Sequence, residues 1–222
     1  MFCEIPDLMT PAEVAELRQL ATRLRFVDGR VTNPDSQVKN NLQGDLGDPL
    51  HEQASKLLRA ALSRSPRFVA FAFPKLMAPP ALSLYRPGMN YGAHADAAFL
   101  PLGARPIRAD LSCTIFLSDP ETYVGGALRI RLGDVDHRVR GKAGSAVVYP
   151  STTLHEVEPV ESGERLVGLT FMQSRIRDTA LRDLLYELNE VAALEGLKMD
   201  FANYSRLQRV QFNLLRLWSE AG

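Results

Sequence analysis

Cysteine and histidine are scarce in this chain of 222 residues. It contains two cysteines and four histidines. Cys3 and Cys113 are not spaced as the ligands of a metal-binding knuckle. Cys113 lies in an apolar, strand-like pattern, where a buried free thiol is expected. This use of cysteine indicates a reducing compartment.

An excess of charge of either sign is also absent. The 26 Lys and Arg residues balance 26 Asp and Glu residues, so we expect no broad basic surface for nucleic acid or anionic lipid. No apolar stretch is long enough to span a bilayer, and the first residues lack the basic segment and apolar run of a signal peptide. We therefore expect a cytoplasmic protein that binds neither nucleic acid nor membranes.

The spacing of apolar residues changes twice along the chain. A hydrophobic content of 45% is enough for one sizeable core. We expect a helical segment over residues 1–75 that packs on a β core over residues 76–176. A second helical segment is expected over residues 177–222.

Two N-terminal helices have recognisable starts. Thr10 is expected to cap a helix that begins at Pro11, with Glu13 reaching back to the cap amide. A second amphipathic helix is expected from Pro49 to about Ser63. The C-terminal segment has two apolar stripes at helical spacing, formed by Leu181, Leu184, Leu185, Leu188 and Val191 and by Leu207, Val210, Leu214 and Leu217.

Short apolar and β-branched runs fill the middle of the chain, separated by clusters of Gly, Pro, Asp and Ser. Many short strands at this spacing are typical of a sandwich or jelly roll. The expected class is a mainly β core with flanking helices (α+β). The expected strands are Ala81–Tyr85, Leu111–Leu117, Ala127–Leu132, Asp136–Arg140, Ala146–Tyr149, Leu154–Val160 and Arg165–Phe171.

A candidate metal site begins with His94 and Asp96, which end the stretch that starts at Tyr85. If this stretch is extended, both side chains leave the same face of one strand. Two histidines and one carboxylate hold iron(II) in a facial triad that leaves the opposite side open. His155, in a second strand-like stretch, is the expected third ligand.

Arg165 is the expected anchor for an anion beside this metal. If the chain turns back so that Pro159 faces Arg165, then His155 and Arg165 share one face of a hairpin. They would lie about 13 Å apart at about 3.3 Å per residue, a gap that a five-carbon dicarboxylate and an arginine side chain fill. With a two-residue turn, Arg165 would face outward instead. Its guanidinium suits a carboxylate because it binds with two parallel hydrogen bonds, and the Tyr85 hydroxyl is a candidate second donor.

These residues also have ordinary structural interpretations. His94 and Asp96 by themselves would suit a hydrogen-bonded surface pair. Arg165 would suit an ion pair at a strand edge with Glu161 or Glu164.

Three further residues also have interpretations that involve no function. Tyr85 would suit a buried core aromatic. His51, on a helix, and His137, near a turn, are expected to be solvated rather than functional.

Two other function classes fit part of the pattern. A cupin-like metal-binding or sensing module without turnover would need the metal ligands but not an inward-facing Arg165. A zinc hydrolase is disfavoured, because the sequence has no HExxH-like helix and zinc sites more often use His or Cys than Asp.

The motifs together resemble a known enzyme family. His94-Ala-Asp96, His155 and Arg165 ten residues later match the iron(II)- and 2-oxoglutarate-dependent dioxygenases, and Tyr85 matches a position of their prolyl-4-hydroxylase-like members. Longer stretches resemble the bacterial PKHD-type hydroxylases over nearly the whole chain. These stretches are Arg108–Pro120, Tyr123–Gly126, Tyr149–Val160, Gly163–Arg165 and Gln173–Asp178.

The resemblance implies a double-stranded β-helix core (jelly roll, cupin-like) and a reaction. 2-Oxoglutarate would chelate Fe(2+) and be decarboxylated to succinate and CO2 while a substrate C–H bond is hydroxylated, with Arg165 binding its far carboxylate. L-Ascorbate is the implied reductant, and a link to iron uptake is implied. Related halogenases lack the carboxylate that Asp96 supplies here.

The sequence does not identify the prime substrate, which is either a small molecule or a peptidyl group. The loop over residues 97–107 is a candidate lid. A homodimer through the terminal helices is a further expectation.

Overall fold

Antiparallel pairing organises the computed structural model, which describes residues 1–103 and 105–220. The strands, in chain order, are β1 (Cys3–Ile5), β2 (Phe26–Asp28), β3 (Lys39–Asn40), β4 (Leu42–Gly44), β5 (Pro74–Met77), β6 (Ala81–Tyr85), β7 (Asn90–His94), β8 (Phe99–Leu100), β9 (Ile107–Arg108), β10 (Leu111–Phe116), β11 (Tyr123–Gly125), β12 (Leu128–Leu132), β13 (Val135–Val139), β14 (Ala146–Pro150), β15 (His155–Val157), β16 (Val160–Gly163) and β17 (Arg165–Ser174).

Two sheets carry most of these strands. The larger has eight strands in the order β1-β14-β10-β17-β6-β4-β2, with β5 also paired to β17. The smaller has five strands in the order β13-β12-β15-β7-β3. Two further pairs, β11 with β16 and β8 with β9, stand apart. The expected fold class, a mainly β core of the double-stranded β-helix type with flanking helices, is confirmed.

The described residues form five α-helices, which are α1 (Pro11–Arg23), α2 (Pro49–Arg64), α3 (Pro66–Ala72), α4 (Thr179–Glu195) and α5 (Phe201–Trp218), with short 3-10 turns at Gly29–Thr32, Pro120–Thr122 and Gly196–Lys198. The predicted capping box of α1 is present: the Glu13 amide donates to Thr10 Oγ1 at 3.3 Å, and the Thr10 amide donates to Glu13 Oε2 at 2.8 Å. Within the described residues, no helix combines the length and apolarity needed to cross a membrane.

Strand β10 shows how the larger sheet serves two cores. Leu111, Cys113 and Ile115 pack in the cluster under the helices. The alternate residues point the other way, toward the smaller sheet, where Phe116 packs in a second cluster and Ser112 contacts Asp96. This alternation places polar groups on the inner face of a fully buried strand.

The predicted hairpin between His155 and Arg165 is wrong. Residues expected to form one strand over 154–160 form β15 in the smaller sheet and β16, which pairs with β11. Pro159 lies between them, and its missing N–H ends the ladder. Arg165 begins β17 in the larger sheet and pairs with Tyr85 of β6. His155 and Arg165 therefore lie on different sheets.

The structure also departs from the expected pattern near the N-terminus. Strands β1 to β4 lie within the segment that was expected to be helical, and Ser65 both ends α2 and caps a further helix, α3, by accepting from the Phe68 amide. His51 is 8% exposed rather than solvated, because its position on α2 faces the core. The division of the chain at residues 75 and 176 stays a prediction, and residues 221–222 lie outside the described part.

Leu58 tests the packing of α2 on the larger sheet. Its side chain is fully buried and lies against Gly168 of β17, where an added Cβ would come within 2.8 Å of Leu58 Cδ2. We expect Leu58→Ala to lower the free energy of unfolding by about 2–5 kcal/mol, since the cavity cannot refill. Urea denaturation measures this. Leu46→Ala, at a side chain that is 55% exposed, is the matched control, and equal effects of the two changes would contradict the packing described.

Candidate metal and cosubstrate site

Three predicted ligands meet at the inner face of the smaller sheet. His94 ends β7, His155 begins β15, and the two residues lie directly opposite each other in the antiparallel pair. Asp96 follows two residues after β7 ends. Its carboxylate oxygens lie 3.8 Å from His94 Nε2 and 3.5 Å from His155 Nε2. One ligand atom from each residue lies within 4.8 Å of the other two, so the three could hold one metal ion.

The histidine rings are oriented by main-chain carbonyls. His94 Nδ1 lies 2.8 Å from the Gly92 oxygen, and His155 Nδ1 lies 3.1 Å from the Thr153 oxygen. A carbonyl oxygen only accepts, so each Nδ1 carries the proton and donates it. Each Nε2 then presents a lone pair toward Asp96, as a metal ligand requires. The Tyr91 ring also stacks on His94, with 3.6 Å between centroids.

Asp96 is fixed although no strand holds it. The Ser112 hydroxyl donates to Asp96 Oδ2 at 2.5 Å, and a second hydroxyl, that of Ser151, lies 2.7 Å from the Ser112 hydroxyl. The Asp96 amide donates to the Ser151 carbonyl at 3.3 Å. The premise that His94 and Asp96 share one strand is therefore wrong, because β7 ends at His94, but the two side chains still converge.

Burial favours the neutral form of His94. Desolvation, followed by the proximity of His155, lowers the pKa of His94 below its ordinary value. Since a lowered pKa keeps the imidazole neutral to lower pH, His94 is unprotonated and able to bind a metal at neutral pH.

Arg165 is a buried cation that has no acidic partner in the described part of the chain. It is 1% exposed, and its Nε and Nη2 atoms have no hydrogen-bond partner among the described residues. Of the two expected ion-pair partners, Glu164 instead accepts from exposed Arg86 at 2.9 Å, and Glu161 forms no ion pair with Arg165 among the described residues. The strand-edge interpretation of Arg165 is therefore wrong. An unpaired buried charge costs several kcal/mol, so the position makes physical sense where an anionic ligand binds.

The walls around Arg165 are aromatic and tightly packed. Its guanidinium carbon lies 5.1 Å from the Tyr85 ring centroid and 5.8 Å from that of Phe116. Gly126, at a positive φ of 61°, is the close neighbour on the third side, where an added Cβ would come within 3.1 Å of Arg165 Cδ. Phe116 and Tyr85 belong to the same inner cluster as Tyr149, whose ring lies 5.1 Å from His155. One packed cluster of side chains thus contacts both the guanidinium and His155.

Tyr85 is the cross-strand partner of Arg165 and is 3% exposed. Burial raises the pKa of Tyr85 to about 12. The phenol therefore stays protonated at neutral pH and keeps a hydrogen to donate. Tyr85 is a buried core aromatic, and its place beside Arg165 also leaves it available as a donor.

Sequence comparisons place these residues in a family. A family model described as "2OG-Fe(II) oxygenase superfamily" matches residues 80–173. This range contains all five predicted site residues. A PKHD-type hydroxylase of Sphingopyxis alaskensis is 53% identical over 97% of this chain and 98% of its own length. A PKHD-type hydroxylase of Methylobacillus flagellatus is 39% identical over all of both chains. The chain belongs to the PKHD-type hydroxylases of this superfamily.

Solved structures of prolyl hydroxylases share the fold of this PKHD-type hydroxylase. A Pseudomonas putida prolyl-4-hydroxylase gives a TM-score of 0.52 at 23% identity, covering 78% of this chain and 92% of the other. A Trichoplax adhaerens prolyl hydroxylase in complex with a hypoxia inducible factor peptide gives 0.57 at 15% identity, covering 77% and 83%. At these identities the likeness concerns the fold alone.

Membership of the family makes the chain a 2-oxoglutarate-dependent dioxygenase, and its donor set fits iron(II). Two imidazoles and one carboxylate, with ligand atoms that lie close together, are the ligands that non-haem iron(II) takes in oxygenases. The guanidinium of Arg165, with two unpaired nitrogens, fits the far carboxylate of 2-oxoglutarate because a guanidinium binds a carboxylate with two parallel hydrogen bonds.

Sequence reasoning missed several residues of the site. Ser112 carried a signal, since it is a polar residue at an inward position of an otherwise apolar strand. Asn41 carried none, because it lies between two short strands. It is 5% exposed, lies next to Tyr85, and its Oδ1 has no hydrogen-bond partner among the described residues.

Two other predictions concern positions outside the triad. His137 lies on β13 opposite Ile130, which in turn lies opposite His155, and its ring packs at 4.9 Å from that of Phe2. The candidate lid over residues 97–107 contains the paired strands β8 and β9, and Phe99 there is 61% exposed. Position 104 lies outside the described residues, and the role of this segment as a lid stays a prediction.

Ser112→Ala tests how Asp96 is held. Loss of the donated hydrogen bond frees the carboxylate to rotate, so we expect the dissociation constant for iron(II) to rise by about 10–100-fold. Anaerobic titration with iron(II) measures it. Ser63→Ala, at an exposed position of α2, serves as the control. Unchanged iron affinity in Ser112→Ala would show that the hydrogen bond does not position Asp96.

Proposed function

We propose that this chain hydroxylates a C–H bond of its substrate, with iron(II) held by His94, Asp96 and His155 and 2-oxoglutarate anchored by Arg165. 2-Oxoglutarate is decarboxylated to succinate and CO2 in the same reaction. The observation that carries the proposal is the buried guanidinium of Arg165, with two nitrogens unpaired among the described residues, whose aromatic neighbours belong to the same cluster as the Tyr149 ring that contacts His155 near the three converging ligands. A metal-sensing module without turnover has no use for such a group.

The charges of the proposed complex balance. One ferrous ion, the Asp96 carboxylate, a 2-oxoglutarate dianion and the Arg165 guanidinium together carry no net charge. Such balance lowers the cost of holding all four away from water. The site thus suits a dicarboxylate better than a monocarboxylate, which would leave one positive charge uncompensated.

The protein residues have distinct tasks in this reaction. Arg165 holds the far carboxylate with parallel hydrogen bonds, and Tyr85 donates its hydroxyl hydrogen to the same group. The carbonyls of Gly92 and Thr153 keep both imidazoles turned toward the metal, while Ser112 fixes Asp96. When bound, iron(II) supplies the redox chemistry that couples decarboxylation to hydroxylation. The carboxylate of Asp96 fills the position that halogenating relatives leave for halide, which favours hydroxylation.

Other parts of the function rest on the family resemblance. L-Ascorbate is proposed as the reductant that restores iron(II) after uncoupled turnover, and a role linked to iron uptake is proposed for the pathway. The substrate is proposed to be a small molecule or a peptidyl group. A cytoplasmic location is proposed from the cysteine usage, and both thiols are free and buried.

Anaerobic spectroscopy tests the proposed complex directly. Addition of iron(II) followed by 2-oxoglutarate is expected to produce the weak visible charge-transfer absorption of a chelated keto acid. Succinate should serve as the matched control, because it has both carboxylates but no keto oxygen and gives no such band. Absence of the band at saturating 2-oxoglutarate would reject the proposed function.

Arg165→Ala tests the anchor. Removing one member of a buried charge pair costs about 3–5 kcal/mol, so we expect 2-oxoglutarate to bind at least a hundredfold more weakly while iron(II) still binds. Calorimetry in the absence of oxygen measures both affinities. Arg86→Ala, which removes an exposed guanidinium next to Tyr85, is the control. If Arg165→Ala binds 2-oxoglutarate with normal affinity, Arg165 does not hold its far carboxylate.

Tyr85→Phe tests the second donor. A hydrogen bond to a charged group contributes about 1.5–3 kcal/mol, so the dissociation constant of 2-oxoglutarate should rise by about 10–100-fold, less than for Arg165→Ala. Tyr204→Phe, on the distant helix α5, is the control. An affinity equal to that of the unmodified protein would leave Tyr85 as a core aromatic only.

A further inference from the structure

The C-terminal helices form a surface that the rest of the described chain does not cover. Helix α5 has no buried residue over its 18 positions, and the buried residues of α4 all lie in its first half, at Arg182, Leu185 and Tyr186. An ordinary surface helix buries one face against a core. From about Glu187 onward, this helical hairpin therefore extends away from the sheets.

Exposed apolar side chains on both helices recur at heptad spacing. On α4, Leu184, Val191 and Leu194 are 60%, 50% and 68% exposed. On α5, Val210 and Leu217 are 47% and 75% exposed. With Glu187 included, the α4 positions are separated by three, four and three residues. With Asn213 included, the α5 positions are separated by three and four residues. Such alternation is typical of a seam that packs against another helix.

The charges on the two seams are complementary. Glu187 is exposed at the centre of the α4 seam, while α5 carries Arg206, Arg209 and Arg216 and no acidic residue. Neither Glu187 nor the first two of these arginines has an ion-pair partner in the described part of the chain. Packing α4 on α4, or α5 on α5, would bring like charges together. Packing α4 on α5 of another copy brings opposite charges together.

The free seam of α5 is held in a fixed position. Ser219 pairs with Ile176, the Glu220 amide donates to the Arg175 carbonyl at 2.9 Å, and Arg108 Nη1 donates to Glu220 Oε1 at 2.7 Å. Because these contacts anchor the end of the helix to the core, a partner can dock without first ordering it.

We propose that a second copy of this chain covers the hairpin, with α4 of each protomer packed on α5 of its partner around a twofold axis. The twofold axis repeats every contact, and the seam from Leu184 to Leu194 gives each contact a length of about 15 Å at about 1.5 Å per residue. The resulting arrangement is a four-helix bundle that buries the exposed leucines and valines. This proposal is independent of the reaction proposed above.

Charge reversal in the full-length chain tests the pairing by sedimentation equilibrium. The unmodified chain is expected to be a dimer. Glu187→Arg alone, and Arg206→Glu with Arg209→Glu, should each raise the dimer dissociation constant at least tenfold. The triple variant restores opposite charges across both contacts and should return the constant to within about threefold of the original. Glu16→Arg, at an exposed position of α1, should have no effect.

Three outcomes would overturn the proposal. The first is an unmodified chain that sediments as a monomer at all concentrations. If that monomer binds phosphatidylserine vesicles, the exposed helices contact a membrane surface rather than a second copy. The second is a dimer that all the reversals leave intact. The third is a triple variant that stays dissociated although its circular dichroism and thermal melting match those of the unmodified chain. A variant that fails to melt cooperatively is replaced by Glu187→Gln paired with Arg206→Gln, each expected to weaken the dimer less than a reversal.

Discussion

The uncompensated charge of Arg165 is the constraint on which the site depends. A buried guanidinium with two unpaired nitrogens lowers the stability of the unliganded protein, and an anion that binds there offsets that cost. Binding energy and folding energy are therefore linked at this residue. The surrounding rings of Tyr85 and Phe116 exclude water from the guanidinium. An arriving carboxylate consequently meets a cation that is already desolvated.

The site requires both sheets, because neither contains all of its parts. The smaller sheet supplies His94 and His155 as opposed residues on neighbouring strands. The larger sheet supplies Arg165 and Tyr85, also as opposed residues on neighbouring strands, and Ser112 to hold Asp96. Each pair is fixed by strand register, so the separation between the His94–His155 pair and the Arg165–Tyr85 pair is fixed by how the sheets pack.

Features that depend on residues close together in the sequence could be predicted, and features that depend on residues far apart in the chain could not. Local chemistry was readable: the capping box of α1, the strand Ala81–Tyr85 and the pattern that begins at His94 all depend on neighbours in sequence. The strand that carries Arg165 could not be placed from the sequence. Pro159 lies where the chain leaves the smaller sheet, and strand pairing depends on partners far along the chain. The three residues that converge were therefore found from the sequence, whereas their arrangement needed the tertiary structure.

One short segment connects the two ends of the site. Residues 39–44 leave the smaller sheet at β3 and enter the larger sheet at β4, and Asn41 lies at the crossing. On one side Lys39 pairs with Tyr91, whose ring stacks on His94. On the other side Asn41 lies next to Tyr85. Since Tyr91 contacts His94 and Tyr85 pairs with Arg165, this segment lies against the surroundings of both residues. The crossing is thus a covalent connection between the two sheets that lies beside both pairs of site residues.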